Sequence, residues 1–169
     1  GGGKAVTAQL AQLGGLRAGM RVLDVGGGLG GPARYLAAEH GCEVVALDLA
    51  ACYVAAGKAL TALLGLGDRV QHLIGNGLDL PFADAAFDVV WTQNSGMNIA
   101  DKERLLAGFH RVLRPGGCYV FQEPMAGPVQ PPHFPVMWAA DATGNQLLGP
   151  ARMRAAIEGA GFAIQTWDD

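Results

Sequence analysis

Five glycines, Gly26, Gly27, Gly28, Gly30 and Gly31, crowd into RVLDVGGGLGGPARYLA, where an apolar run gives way to a helical period. A turn so rich in glycine can take positive φ and has no Cβ to hold a ligand away from its backbone. Gly26, Gly28 and Gly31 spell G-x-G-x-x-G, which sets a dinucleotide's pyrophosphate on a helix N-terminus, and Asp48 follows about 20 positions on to take a ribose hydroxyl. Asp24, Gly26, Gly28 and Gly30 spell an overlapping D-x-G-x-G-x-G, and the glycines fit both patterns. Asp24 separates the two chemistries. A carboxylate two residues ahead of the turn repels a pyrophosphate and suits a ligand that carries positive charge. As a structural alternative, Asp24 braces the loop by accepting backbone N–H groups.

These residues need strands and helices to carry them. Short runs rich in Val, Ile and Leu alternate with helical stretches, as βαβ units feeding a parallel sheet do. Strands are predicted at 21–25, 43–47, 70–74, 87–92, 118–122 and 162–166, and helices at 4–13, 31–39, 52–64, 101–113 and 151–158. The fold class is therefore α/β, a doubly wound, mostly parallel sheet with six strands. Asp48 closes the second strand, on the side where such sheets bind ligands. Asp101 is the predicted N-cap of the fourth helix, and Arg111, Arg114 and Pro115-Gly116-Gly117 end it. The chain reads as one domain: an N-terminal helix segment 1–19, a ligand-binding core 20–124, a proline-rich insertion 125–150, and a last helix and strand 151–169. The insertion is long for a connection and reads as a lid or binding wall.

Half of the 169 residues are apolar, 16% are charged, and the net charge is −3. That balance, with no local Lys/Arg run, removes the footprint of a nucleic-acid binder and leaves a small molecule as the partner. Cys42, Cys52 and Cys118 are scattered, with no C-x-x-C, so neither a disulfide framework nor a zinc site is written here, and a reducing, cytoplasmic setting fits. Asp79, Asp84 and Asp88 match no cation loop, and no metal is expected. No window approaches the ~18 apolar residues of a membrane span. Oligomeric state stays open, with a homodimer among the options.

VLDVGGGLGGPARYLA, CEVVALDLA, GNGLDLPFADAAFDVVWTQNSGMNIADKERLL and HRVLRPGGCYVFQEP, in this order and spacing, resemble class I S-adenosylmethionine-dependent methyltransferases, in particular the small-molecule branch with sarcosine and dimethylglycine N-methyltransferases. The resemblance spans residues 21–124. It implies a Rossmann-like methyltransferase fold and transfer of a methyl group from S-adenosylmethionine to a nitrogen or oxygen by in-line displacement, with S-adenosylhomocysteine as product. Gly26, Gly27 and Gly28 then face the methionine part of the cofactor, and Asp24 supports them. Asp48 takes the ribose hydroxyls, and Leu49 and Leu78 pack on the adenine. Asn76, next to Gly77, stands where the family usually has an acid; its oxygen can still accept from the adenine amine, without charge assistance and so with weaker affinity. Gln93 lies near the sulfonium.

The family's substrate-facing loop corresponds to TQNSGMNIADK, which makes Asn94, Ser95, Met97 and Asn98 substrate candidates, although Asn, Ser and Gly also populate turns for local reasons. His133 as base and Trp138 as aromatic wall, both in the insertion, complete the candidates. His110 reads as structural, and His40 and His72 belong to no constellation. The family sheet ends in an antiparallel hairpin that this sequence lacks, so a chain cut short at both ends is expected. Two alternatives stand beside the methyltransferase: an NAD-dependent oxidoreductase, and a non-catalytic cofactor-binding protein on the same fold.

Overall fold

A computed structural model describes residues 3–168. Strands β1 (Arg21–Val25), β2 (Glu43–Asp48), β3 (Val70–Ile74), β4 (Phe87–Gln93) and β5 (Leu113–Gln122) form one sheet in the order β3-β2-β1-β4-β5. Every pairing is parallel. Helices α1 (Gly3–Leu13), α2 (Gly31–His40), α3 (Ala51–Leu63), α4 (Lys102–Val112) and α5 (Pro150–Gly159) cover it.

Successive side chains of a strand point to opposite faces, and here both faces are buried. Val22, Val44, Val89 and Trp91 enter one core with Ala11 of α1 and Ala33 and Leu36 of α2. Leu23, Leu47 and Val90 enter the other, with Leu105, Leu106 and Phe109 of α4 and Met153 and Ile157 of α5. This is why the strands read as unbroken apolar runs. The strand order reverses between β1 and β4, and in open α/β sheets the ligand crevice lies at such a switch, outside the carboxyl ends of the strands.

Two expectations need correction. Among the described residues the sheet has five strands, not six. Residues 162–166 alternate like a strand but make no ladder, because packing attaches them in place of hydrogen bonds. Phe162, Ile164 and Trp167 lie on the α4/α5 core, with Phe162 against Tyr119 and Trp167 edge-on to Phe121 at 5.6 Å between ring centroids. Residues of the segment and of β5 both line a cavity of about 1120 Å3. The fifth strand also starts earlier than expected, at Leu113, immediately after α4. It absorbs Pro115-Gly116-Gly117 as an irregularity: Phe87 pairs with Leu113 and Val89 with Cys118. A Cβ on Gly117 would lie 2.8 Å from the Asp88 carbonyl, so only glycine lets the strand regain register there.

Candidate functional site

The turn after β1 is anchored from below. The N–H groups of Gly26 and Gly27 both donate to the Leu47 carbonyl of β2, at 2.8 and 3.1 Å. Gly26, Gly28 and Gly30 all have positive φ, and nothing lies within 4 Å of a Cβ built on Gly28, so the space beside it is open to a ligand. Asp24 sits under this turn, 1% exposed, with a buried Oδ2 that has no partner. Burial first, and the charge of Asp48 second, push its carboxyl up to about 7. Such a group is poised to pair with a cation. The bracing alternative finds no support at Oδ2, which takes no backbone N–H.

Asp48 ends β2 with both oxygens aimed at its surroundings. Oδ2 accepts from Gly28 N at 2.8 Å and Oδ1 from Ala50 N at 2.9 Å. Beside it Leu49 is 69% exposed, an apolar side chain left bare at the sheet's carboxyl edge. Asn76 is exposed, and its Oδ1 accepts from Leu78 N at 2.9 Å. That turn uses one lone pair of the amide oxygen and leaves a second. Gly77 is buried where a Cβ would lie 2.9 Å from Val25, so this loop packs directly on the end of β1. Gln93 is engaged on both sides: it donates to Gln122 Oε1 and accepts from Thr7 Oγ1, each at 3.1 Å.

The loop after β4 lies at the same switch. Asn94 has φ of 58°, and the Ser95 hydroxyl donates to the Val25 carbonyl at 2.9 Å, just ahead of the glycine turn. Gly26 must be glycine for this contact, since its Cβ would lie 2.3 Å from that of Ser95. Met97 is buried, and its carbonyl accepts from Gln146 N of the insertion at 2.8 Å. Asn98 is exposed; with its amide nitrogen toward them, it donates to the carbonyls of Trp138 and Gly144 at 3.3 and 3.2 Å. Trp138 is half-buried and donates to Asn145 Oδ1 at 2.9 Å. The structure thus joins Ser95, Met97, Asn98 and Trp138 into one wall. His133 stays outside it, exposed and without a hydrogen bond that would orient its ring.

Three residues central to this architecture were not among the sequence candidates. Glu123, just past β5, accepts from the N–H groups of Ser95 and Gly96 at 3.2 and 2.8 Å, while its Oε2 is buried without a partner. Burial raises its carboxyl above the usual range, opposed by those N–H bonds. Lys102 is 8% exposed and donates to the carbonyls of Gly96, Ile99 and Gln146; burial lowers its ammonium and Glu123 opposes that. The sequence did carry a signal for Lys102. It lies on the apolar stripe of α4 with Leu105, Leu106, Phe109 and Val112, where a lysine must find partners. His72 is also buried; its Nε2 lies 2.8 Å from Thr61 Oγ1, and its ring fills the space that a Cβ on Gly30 or Gly57 would need.

Among the described residues no group of His, Cys, Asp and Glu could hold a metal ion. A methyltransferase-domain family model matches residues 23–121. The glycine/sarcosine/dimethylglycine N-methyltransferase of Actinopolyspora halophila is 42% identical over 106 residues, 63% of this chain and 19% of that protein. Among solved structures, the [4+2]-cyclase SpnF superimposes with a TM-score of 0.85 at 28% identity, covering 97% of this chain and 59% of that one. A geranyl diphosphate methyltransferase in complex with S-adenosylmethionine gives 0.81 at 26%, covering 95% and 66%. The chain spans 19% to 39% of the length of the curated glycine- and sarcosine-methylating relatives it matches. With the family model covering more than half of the chain and the glycine turn, Asp48 and the β4 loop gathered at one switch point, the chain belongs to the methyltransferase-domain family.

Proposed function

We propose that this chain is the core of an S-adenosylmethionine-dependent methyltransferase that methylates a nitrogen or oxygen of a small molecule in the cytoplasm. The observation that carries the proposal is Asp24, a buried carboxylate with an unpartnered oxygen under a glycine turn that leaves open space beside Gly28. S-adenosylmethionine brings an ammonium and a sulfonium, and no phosphate. A dinucleotide would bring its pyrophosphate to the same turn, above Asp24, so the oxidoreductase alternative is disfavoured by that carboxylate.

In this proposal Asp24 and the backbone of Gly26, Gly27 and Gly28 hold the amino-acid part. Asp48 receives the ribose, and Leu49, Asn76, Gly77 and Leu78 surround the adenine. When bound, the cofactor supplies a methyl group already activated by a positive sulfur. The chain has to orient the acceptor and exclude water, which can be worth roughly 7 to 11 kcal/mol of barrier. No nucleophile or relay is needed, in keeping with the exposed, unoriented His133. An amine acceptor must lose its proton before it attacks, and a desolvating site favours the neutral form. Asn94, Ser95, Met97, Asn98 and Trp138 border the acceptor side. The relatives named for sarcosine and dimethylglycine support small amines as the first acceptors to try. Scattered free cysteines support the cytoplasmic placement, and no described helix is long and apolar enough to cross a membrane.

A neighbour named as a [4+2]-cyclase supports a second reading, in which this fold serves a chain that transfers no methyl group, with the cofactor bound but not spent. Calorimetry with S-adenosylmethionine, S-adenosylhomocysteine and NADH, followed by mass spectrometry of sarcosine, dimethylglycine and hydroxyl acceptors, separates the readings. Cofactor binding with a product 14 mass units heavier is expected. Binding without product favours the second reading, and NADH binding alone overturns both. Asp48→Ala should weaken S-adenosylhomocysteine at least about tenfold, the cost of a charge-assisted pair of hydrogen bonds; unchanged affinity removes the ribose assignment.

A further inference from the structure

The β4 loop is held by charges that the cofactor site does not use. We propose that Glu123 and Lys102 are positioning residues for the acceptor, a clamp that fixes Ser95–Met97 between the cofactor turn and the proline-rich insertion; this rests on the methyltransferase proposal above.

One carboxylate oxygen of Glu123 takes two consecutive backbone N–H groups, those of Ser95 and Gly96. The fit is tight, since a Cβ on Gly96 would come within 3.1 Å of the same oxygen. Lys102 holds the other side of the loop: its ammonium takes the Gly96 carbonyl at 3.0 Å and the Gln146 carbonyl at 2.9 Å, and also the Ile99 carbonyl. Gly96 is therefore gripped through its N–H by an anion and through its C=O by a cation. The grip passes to the cofactor side through Ser95, whose hydroxyl holds the Val25 carbonyl. It passes to the insertion through Gln146, whose N–H holds the Met97 carbonyl.

Glu123 and Lys102 line a cavity of about 20 Å3 with Met97 and Gln146, room for one water and not for an acceptor. Glu123 also borders the larger cavity beside β5. Its Oε1 and the Lys102 ammonium are both engaged on backbone groups, so their effect on transfer runs through the loop. Hydrogen bonds to charged groups are the stronger kind, and in a buried setting they are not screened by solvent. A displaced loop would misplace the acceptor, and a misplacement of about 1 Å can cost ~100-fold in rate.

The test uses the whole chain with Glu123→Ala, Glu123→Gln and Lys102→Met. Three quantities are measured: backbone amide exchange, S-adenosylhomocysteine affinity, and steady-state methylation of sarcosine and dimethylglycine. Glu123→Ala should speed exchange at Ser95 and Gly96 by about tenfold or more, a local opening. It should lower kcat by roughly 10- to 100-fold, raise the acceptor KM less, and leave S-adenosylhomocysteine affinity near that of the unaltered chain. Glu123→Gln, whose carbonyl oxygen still accepts both N–H groups, should recover most of both losses. Lys102→Met should speed exchange at Gln146 and carries the test should Glu123→Ala not fold. Unaltered exchange at Ser95 and Gly96 overturns the clamp, as does a loss of cofactor affinity in step with kcat. If the unaltered chain binds no S-adenosylhomocysteine, the methyltransferase proposal fails while exchange still reads the clamp.

Discussion

Asp24 brings fold stability and ligand binding into conflict. Its carboxyl ionises near 3.8 when free and at about 7 in the folded chain. Between those values the folded state holds a proton that the unfolded state has lost, so stability falls as pH rises through that window. The slope approaches about 1.4 kcal/mol per pH unit. A cationic ligand needs the carboxylate, so its affinity should rise over the approach to pH 7 and level off above it. Asp24→Asn should remove both dependences: a higher melting temperature than the unaltered chain at pH 8, and S-adenosylmethionine affinity that is weak at every pH. Thermal unfolding and calorimetry from pH 5 to 8 check this, and equal melting temperatures at pH 8 would show that the buried charge costs nothing. Asp24 and Asp48 were legible because each is tied to a local pattern, a glycine turn or a strand end. Glu123 was not, because its partners are backbone groups 28 and 27 positions away that only the fold brings to it.

At the scale of elements, α4 shows how far local rules reach. Asp101 caps it as expected, its side chain accepting from Arg104 N at 3.0 Å, with Glu103 in the first turn and His110 and Arg111 in the last. Asp101→Ala should cost about 1 kcal/mol in denaturant unfolding. In α3 the local rule inverts. Glycine to alanine inside a helix ordinarily stabilises by about 0.8 to 1 kcal/mol, but a Cβ on Gly57 would meet the His72 ring at 2.6 Å. That ring also abuts Gly30, the N-cap of α2. Gly57→Ala should therefore lower stability and weaken cofactor binding together. Gly159→Ala in α5, where nothing lies within 4 Å, should do neither. Melting curves with and without S-adenosylhomocysteine distinguish them. His72 looked featureless in the sequence because its role is a shape relation among α2, α3 and β3.

For the whole molecule, the turn after β1, Asp48 at the end of β2 and the loop after β4 meet at one edge of the sheet, already joined by hydrogen bonds from Gly28 to Asp48 and from Ser95 to Val25, and a ligand there would add to those ties. Saturation at 100 times Kd adds about 2.7 kcal/mol to stability. At about 2 to 4 °C per kcal/mol for a chain of this size, the melting temperature should rise by roughly 5 to 11 °C with S-adenosylhomocysteine. Asp48→Ala, at a tenfold loss of affinity and the same ligand concentration, should remove about half of the rise. No shift for the unaltered chain at saturating concentration would remove the cofactor assignment.

The α/β class, the first four strands, the helices to within a few residues and the glycine-rich turn after β1 were readable from the amino-acid sequence. Those features rest on local periodicity, capping and glycine placement, and each is written in a short window. That residues 162–166 pack without pairing emerged from the folded chain, since a strand exists through its neighbour's hydrogen bonds and not through its own alternation. Tertiary structure also decided that Gln93 is occupied by Thr7 and Gln122, that His133 stands apart, and that Glu123 and Lys102 grip the β4 loop. Burial and partner geometry set those outcomes, and both arise from contacts between distant parts of the chain.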